Sequence, residues 1–130
     1  MNPAITVLTL VLSLGLASAL RAENPIKDVE PKEAATLLAE TKDITAVDVR
    51  TPLEFGDGHI AKAKNINVMD DDFKAQVAKL DPAKPVLVYC KSGGRSSRAL
   101  MTFRELGFQL VYHLKDGLMS WEDAGLEIEE

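Results

Sequence analysis

The stretch that decides the fold lies between residues 86 and 95 and reads Val-Leu-Val-Tyr-Cys-Lys-Ser-Gly-Gly-Arg. Its first four residues, Val86 to Tyr89, are continuously apolar, which is typical of a parallel strand that is covered on both faces. Residues 90–95 follow as a loop in which the only apolar side chain is the cysteine, and a helix is predicted to begin with Ser96 or Ser97 as its N-cap. Ligands of parallel α/β sheets bind where strands end and helices begin, so this loop is the candidate site.

Strands and helices alternate on both sides of this loop. The apolar spacing predicts further strands at residues 44–49, 65–68 and 109–114, whereas residues 23–30 are interpreted as a polar entry segment. Helices are predicted at residues 31–40, after a Thr51–Glu54 capping box, at residues 70–80 and at residues 118–124. This alternation predicts one α/β domain over residues 23–130, with helices packed around a mainly parallel sheet.

The N-terminus differs in kind from the rest of the chain. Residues 4–20 carry no charge, and the small residues Ala17-Ser18-Ala19 follow the apolar run. This pattern predicts a signal peptide over residues 1–22, cleaved after Ala19 or Ala22, and hence a periplasmic or secreted protein. An uncleaved membrane anchor is the alternative, because the run is only just long enough to span a bilayer.

Composition excludes some classes of partner. The 130 residues carry a net charge of −5 with no basic stripe, and only 5% of them are aromatic, which argues against a nucleic-acid partner. After signal cleavage we expect no membrane partner and, because nothing indicates an obligate interface, a monomer. The chain has a single cysteine, so an intramolecular disulfide is impossible.

The surroundings of Cys90 predict a reactive sulfur. Two glycines in the loop allow several backbone N–H groups to converge on one point, with a helix N-terminus behind them. Lys91 and Arg95 add positive charge, and each of these features lowers the pKa of a thiol. The alternative is an inert, buried cysteine, but such a residue does not require glycines, cations and a helix start directly after it.

Four segments carry a resemblance to a known family. They are residues 48–55 (D-x-R-x-x-x-E-F), residues 58–66 (G-H-I followed by Ala and Asn-Ile), the six-residue loop 90–95, and residues 117–125 (G-x-x-x-W-x-x-A-G). Taken together and in this order, they resemble the rhodanese-like sulfurtransferases. The resemblance implies a rhodanese-like three-layer sandwich.

The resemblance also implies an activity. Cys90 would take a sulfur atom from thiosulfate or a related donor, become a persulfide, and pass the sulfur to cyanide or to a thiol. The partners would thus be a small-molecule sulfur donor and acceptor, or a thiol-bearing protein. The implied substrate-binding residues are those of the rest of the loop, namely Lys91, Ser92, Gly93, Gly94 and Arg95. No metal and no organic cofactor is expected.

Two alternatives remain open. One is a non-catalytic binding module with the same fold, although an inactive version would be expected to lose the cysteine. The other is a cysteine-dependent phosphatase or arsenate reductase. Phosphatases of this type have a C-x5-R loop, whereas Arg95 here follows Cys90 in a shorter C-x4-R loop that suits a single sulfur atom.

The remaining charged candidates are interpreted as structural. Asp48 and Arg50 are predicted to form an ion pair at a strand end, with direct substrate contact as the alternative. The acidic run at residues 70–72 is interpreted as charge at a helix N-terminus and not as a metal site.

Three ring-bearing side chains are also interpreted as structural. His59 is predicted to hydrogen bond to the backbone and fix a turn, and Trp121 is predicted to pack in the core. His113 lies near a strand end with no motif around it, and we expect it on the surface.

Overall fold

The computed structural model describes residues 24–130. Their strands form one five-stranded sheet, in which every paired neighbour is parallel. In chain order the strands are β1 (Ile26–Val29), β2 (Thr45–Asp48), β3 (Lys64–Asn65), β4 (Val86–Tyr89) and β5 (Val111–Leu114). The helices are α1 (Pro31–Glu40), α2 (Pro52–Asp57), α3 (Phe73–Val77), α4 (Gly94–Glu105) and α5 (Gly117–Asp123).

The spatial order of the strands is β1-β5-β4-β2-β3, which places β4 at the centre. Its neighbours β2 and β5 pair with both of its edges, and helices cover both of its faces, so the apolar run Val86–Tyr89 is buried throughout. The carboxyl end of β4, where Cys90 follows, therefore lies in the middle of the sheet and directly before α4.

Alternate residues of β2, β4 and β5 supply two separate cores. Val86 and Val88 of β4 point to one face, where they pack with residues of α3 and α4 such as Phe73 and Phe103. Leu87 and Tyr89 point to the other face, which α1 and α5 cover. The result is the predicted three-layer arrangement, with helices on both faces of the sheet.

Several predicted elements agree with the structure within a few residues. Helix α1 spans the predicted residues 31–40, and the predicted capping box is present, because the Thr51 hydroxyl accepts from the Glu54 N–H and the Glu54 carboxylate accepts from the Thr51 N–H. Strands β2, β3 and β5 are shorter than predicted, and α5 begins at Gly117, one residue early.

Two predictions at strand and helix starts are wrong. Residues 23–30 were expected to be a polar entry segment without a strand, but Ile26–Val29 is an edge strand that buries only Val29 fully. Helix α4 is not capped by Ser96 or Ser97, because it begins at Gly94 with Gly93 as its N-cap.

The acidic segment 70–80 is not one helix either. Helix α3 is confined to Phe73–Val77, and the residues on both sides of it form turns with hydrogen bonds between positions i and i+3. The Asp70 and Asp72 side chains accept from the side-chain amide of Gln76 and do not cap the helix.

The predicted signal peptide, residues 1–22, lies outside the described residues. Across residues 24–130, no helix has the length and apolar character needed to cross a bilayer.

Candidate functional site

The loop after β4 has a backbone shape that only glycine permits at one position. Gly93 has φ of +112°, and a Cβ at this position would lie 2.0 Å from the carbonyl oxygen of Lys115. Gly94 has no such constraint, since a Cβ there would meet no atom within 4 Å. The first glycine of the pair therefore sets the turn that leads into α4.

The N-terminus of α5 supports the loop from behind. The N–H groups of Leu118 and Met119 donate to the carbonyl oxygens of Cys90 and Lys91, at 2.9 and 3.0 Å. Gly117 makes this contact possible, because a Cβ there would lie 2.3 Å from the Lys91 oxygen. These contacts hold the loop in the conformation in which the Gly93 N–H donates to the Cys90 sulfur.

Cys90 is only 1% exposed and sits among hydrogen-bond donors. Its Sγ lies 3.1 Å from the backbone N of Gly93 and 3.3 Å from the Ser96 Oγ. Burial raises the pKa of the thiol, but hydrogen bonds from the Ser96 side chain and from the N–H groups of Ser96, Gly93 and Ser92 outweigh it, so that the pKa falls below its ordinary value. The arrangement favours a thiolate, the form of cysteine that acts as a nucleophile.

The two cations of the loop differ in their contacts. Lys91 is exposed. Arg95 makes a two-pronged ion pair with Glu54 of α2, with Nη1 2.7 Å from Oε1 and Nη2 2.9 Å from Oε2. A contact of this geometry commits the guanidinium fork to a carboxylate of the protein itself. Of the other predicted substrate-binding residues, Ser92 and Gly94 are exposed at the loop surface and Gly93 is buried.

The predicted ion pair between Asp48 and Arg50 is confirmed. It is buried, with Arg50 Nη2 2.7 Å from Asp48 Oδ2, and Nη2 also donates to the carbonyl oxygen of Gly58. This pair joins the end of β2 to the turn after α2. The Tyr89 hydroxyl accepts from the Ile60 N–H at 3.0 Å beside it, and burial raises the pKa of this phenol above its ordinary value.

His59 and Trp121 have the predicted structural roles. His59 Nδ1 lies 2.8 Å from the Phe55 carbonyl oxygen, and its ring stacks on the Phe55 ring with centroids 3.7 Å apart. Trp121 is buried against the sheet, and its indole N–H donates to the carbonyl oxygen of Glu127.

The surface prediction for His113 is wrong. The side chain is buried on β5, with Nε2 2.7 Å from the Ser96 Oγ and Nδ1 3.1 Å from the Asp28 Oδ1. Asp28 lies directly opposite His113 in the parallel pairing of β1 with β5. The alternation of side chains along β5 could have predicted this burial, because His113 points to the same face of the sheet as the apolar Val111. The structure thus adds three residues to the surroundings of Cys90, namely Ser96, His113 and Asp28.

The expectation that the protein holds no metal stays a prediction. Within residues 24–130, no three His, Cys, Asp or Glu side chains are grouped so that they could hold a metal ion.

Comparison with known proteins identifies the family. The sequence profile described as a rhodanese-like domain matches residues 30–124. The chain belongs to the rhodanese-like family. The Cys90 loop and the α5 segment that supports it both lie within the matched residues.

Individual relatives agree with this assignment. The chain is 32% identical to a thiosulfate sulfurtransferase from Arabidopsis thaliana over 129 residues, which cover 90% of this chain and 93% of the relative. A solved rhodanese-like domain from Anabaena sp. superposes with a TM-score of 0.70 at 27% identity and covers 82% of this chain and 80% of that one. The structure of a polysulfide-sulfur transferase homodimer from Wolinella succinogenes gives a TM-score of 0.67 at 34% identity, with 88% of this chain and 85% of that chain covered.

Proposed function

We propose that this protein is a sulfurtransferase that moves sulfane sulfur from thiosulfate or a related donor, through a Cys90 persulfide, to cyanide or a thiol. The observation that carries the proposal is the buried Cys90 sulfur, to which the Gly93 N–H donates at 3.1 Å and beside which the Ser96 Oγ lies at 3.3 Å. A ring of donors around a single sulfur stabilises an anion that is one atom wide. The same donors can stabilise the Cys90 thiolate and the outer sulfur of a Cys90 persulfide.

The reaction has two displacement steps. In the first, the Cys90 thiolate attacks the outer sulfur of thiosulfate, the sulfur–sulfur bond of the donor breaks, and sulfite leaves with the bonding electron pair. In the second, cyanide or a thiolate attacks the outer sulfur of the Cys90 persulfide, and the Cys90 thiolate is released. Electrons and atoms balance without a cofactor.

The donor is proposed as a class and not as one compound. Relatives carry the names of thiosulfate and polysulfide-sulfur transferases, and both donors present a terminal sulfur bonded to a second sulfur. The exposed Lys91 at the loop surface supplies positive charge that would attract either anion. The acceptor is cyanide, a small thiol or a thiol-bearing protein.

The contacts of Arg95 argue against the phosphatase alternative. A phosphatase of this type uses its loop arginine to bind two phosphate oxygens, whereas the Arg95 fork is already engaged by both oxygens of Glu54. The intact cysteine and the donors around it argue against the non-catalytic binding module.

The location is part of the proposal. The uncharged residues 4–20, with the small residues Ala17-Ser18-Ala19 near their end, support export to the periplasm or secretion, with residues 1–22 removed.

Sulfur loading tests the proposal directly. The purified protein is incubated with thiosulfate or with polysulfide, and the intact mass is measured before and after addition of cyanide. We expect a gain of one sulfur atom that disappears as thiocyanate forms, and neither change in Cys90→Ser. Failure of both donors to add sulfur to the wild-type protein would contradict the proposal, and hydrolysis of an aryl phosphate that is lost in Cys90→Ser would favour the phosphatase.

A further inference from the structure

The buried His113 is hydrogen bonded through both ring nitrogens. Nδ1 contacts Asp28 and Nε2 contacts the Ser96 hydroxyl, which in turn contacts the Cys90 sulfur. These contacts form a continuous chain from Asp28 Oδ1 through His113 and Ser96 to Cys90 Sγ, with successive distances of 3.1, 2.7 and 3.3 Å. The chain joins the edge strand β1 to the candidate nucleophile.

The donors and acceptors along this chain determine where the protons lie. An ionised carboxylate only accepts, so the Nδ1 of His113 carries a proton and donates it to Asp28. In a neutral ring, Nε2 is then an acceptor for the Ser96 O–H at 2.7 Å, which is closer than the other acceptor of this hydroxyl, the Gly93 carbonyl oxygen at 3.2 Å. The Ser96 oxygen remains able to accept from a Cys90 S–H. The Cys90 S–H, the Ser96 O–H and the His113 Nδ1–H therefore donate in turn, and the hydrogen bonds run in one direction from Cys90 to Asp28.

We propose that His113 accepts the Cys90 proton through the Ser96 hydroxyl, and that Asp28 orients the ring and stabilises the imidazolium that results. In this step the S–H bond of Cys90 breaks as its proton moves to the Ser96 oxygen, and the original Ser96 proton moves to Nε2. The products are a Cys90 thiolate that accepts from Ser96 and an imidazolium held between Ser96 and Asp28. No proton is gained or lost by the protein, and Ser96 is regenerated.

The surroundings of His113 leave few other groups to control this transfer. On the same face of the sheet, β1 presents Asp28, and β4 presents Val86 and Val88 before Cys90. The residues that α4 buries against the sheet are Ser96, Ala99 and Phe103, none of which is a charged group. The titratable groups that face His113 from these elements are therefore Asp28 and Cys90.

His113 does not touch the reacting sulfur, so it acts as a positioning residue and not as a catalytic one. A purely structural role would consist of anchoring β1 to β5 through the contact with Asp28. Such an anchor would alter the stability of the fold without altering the fraction of thiolate at a given pH. The two roles therefore differ in what pH does to Cys90.

The inference depends on the proposed function only in treating Cys90 as the reacting group. Alkylation by iodoacetamide reports the thiolate directly and requires no sulfur donor. A protein that forms the thiolate through His113 but fails to take up sulfur would refute the proposed function and leave this inference intact.

The test is the pH profile of Cys90 alkylation in the full chain, followed by mass spectrometry. Gln can replace the Nε2 contact with Ser96 but cannot hold the extra proton, so His113→Gln is the informative variant. We expect its alkylation midpoint to move upward by about one pH unit, a roughly tenfold loss of thiolate below the midpoint. Ser96→Ala is expected to shift the midpoint in the same direction.

His59→Gln is the matched control, because His59 is the other histidine of the chain and contacts the backbone of Phe55. Its midpoint is expected to equal that of the wild type. An unchanged midpoint in His113→Gln, whatever the change in melting temperature, would overturn the inference.

A second variant covers the case in which His113→Gln does not fold. The Asp28 side chain is 61% exposed on the edge strand, so Asp28→Asn preserves the packing. It removes the charge that stabilises the imidazolium, and we expect a smaller upward shift. An unchanged midpoint in Asp28→Asn together with a pH-independent His113 NMR signal between pH 5 and 9 in the wild type would also overturn the inference.

Discussion

The Arg95 guanidinium and the Glu54 carboxylate face each other in a two-pronged contact, which ties the first turn of α4 to the first turn of α2. The same carboxylate accepts from the N–H and the hydroxyl of Thr51. One acidic side chain therefore caps a helix and holds the loop arginine. The Cys90 loop is thereby joined to the chain that follows β2.

This contact predicts a dependence of stability on acidity. The hydrogen bond from Arg95 is the largest influence on the pKa of Glu54, which falls to about 2 from an ordinary value of 4.5. Since the folded-state pKa is the lower one, the stabilisation is complete above about pH 4.5 and is lost as the pH falls toward 2. We expect Glu54→Gln to be less stable than the wild type at pH 6, with the difference shrinking below pH 4.5 in urea unfolding.

The control for this measurement is the exposed pair between Lys74 and Glu105, whose side chains are 60% and 52% exposed. Glu105→Gln is expected to change stability little at any of these pH values, because exposed ion pairs contribute little. Equal pH dependence in the two variants would contradict the assigned role of Glu54.

The adjacent glycines of the loop are expected to respond differently to the same substitution. Gly93→Ala places a methyl group against the Lys115 carbonyl in a backbone region that favours glycine, where strain alone costs about 1–3 kcal/mol. Gly94→Ala meets no neighbouring atom. Thermal unfolding should show a clear loss of stability for the first variant and a melting temperature near the wild type for the second. Equal losses of stability in the two variants would contradict the role assigned to Gly93.

The buried pair between Asp48 and Arg50 predicts a large loss of stability when it is broken. Asp48→Asn leaves a buried guanidinium without its counter-charge, and breaking a buried pair in this way costs about 3–5 kcal/mol. Denaturant unfolding measures this cost. A loss below about 1 kcal/mol, the value of an exposed pair, would mean that water reaches Arg50 in solution.

Export predicts a new N-terminus. Intact mass spectrometry of the protein from its native compartment is expected to show a chain beginning at Leu20 or at Glu23, after cleavage at Ala19 or Ala22. A chain that retains Met1 and fractionates with membranes would instead support the uncleaved anchor.

The centre of the sheet and the Cys90 loop were predictable because their signals are local. Four apolar residues, a cysteine and two glycines follow one another directly, and both the strand and the turn depend on neighbours in sequence. The capping box at Thr51 and Glu54 is local in the same way. These features place the candidate nucleophile without any knowledge of distant contacts.

The missed features depend on pairing across the sheet. Lys27 and Asp28 give β1 a charged appearance, and it becomes a strand because the edge of β5 supplies its hydrogen-bond partners. His113 contacts Asp28 across 85 positions of sequence and Ser96 across 17. No local pattern connects these residues, so neither the strand nor the hydrogen-bonded chain could be predicted from spacing.

The near-complete burial of Cys90 affects which sulfur atom an acceptor can contact. In the proposed persulfide, the outer sulfur would stand about 2 Å beyond Sγ, the length of one sulfur–sulfur bond. The unmodified Cys90 sulfur is almost fully buried beneath the backbone N–H groups of its loop. In the proposed persulfide, the outer sulfur would be the atom of Cys90 that lies nearest to the solvent. A partner would thus meet the sulfur that is to be transferred before it meets the sulfur that must be kept.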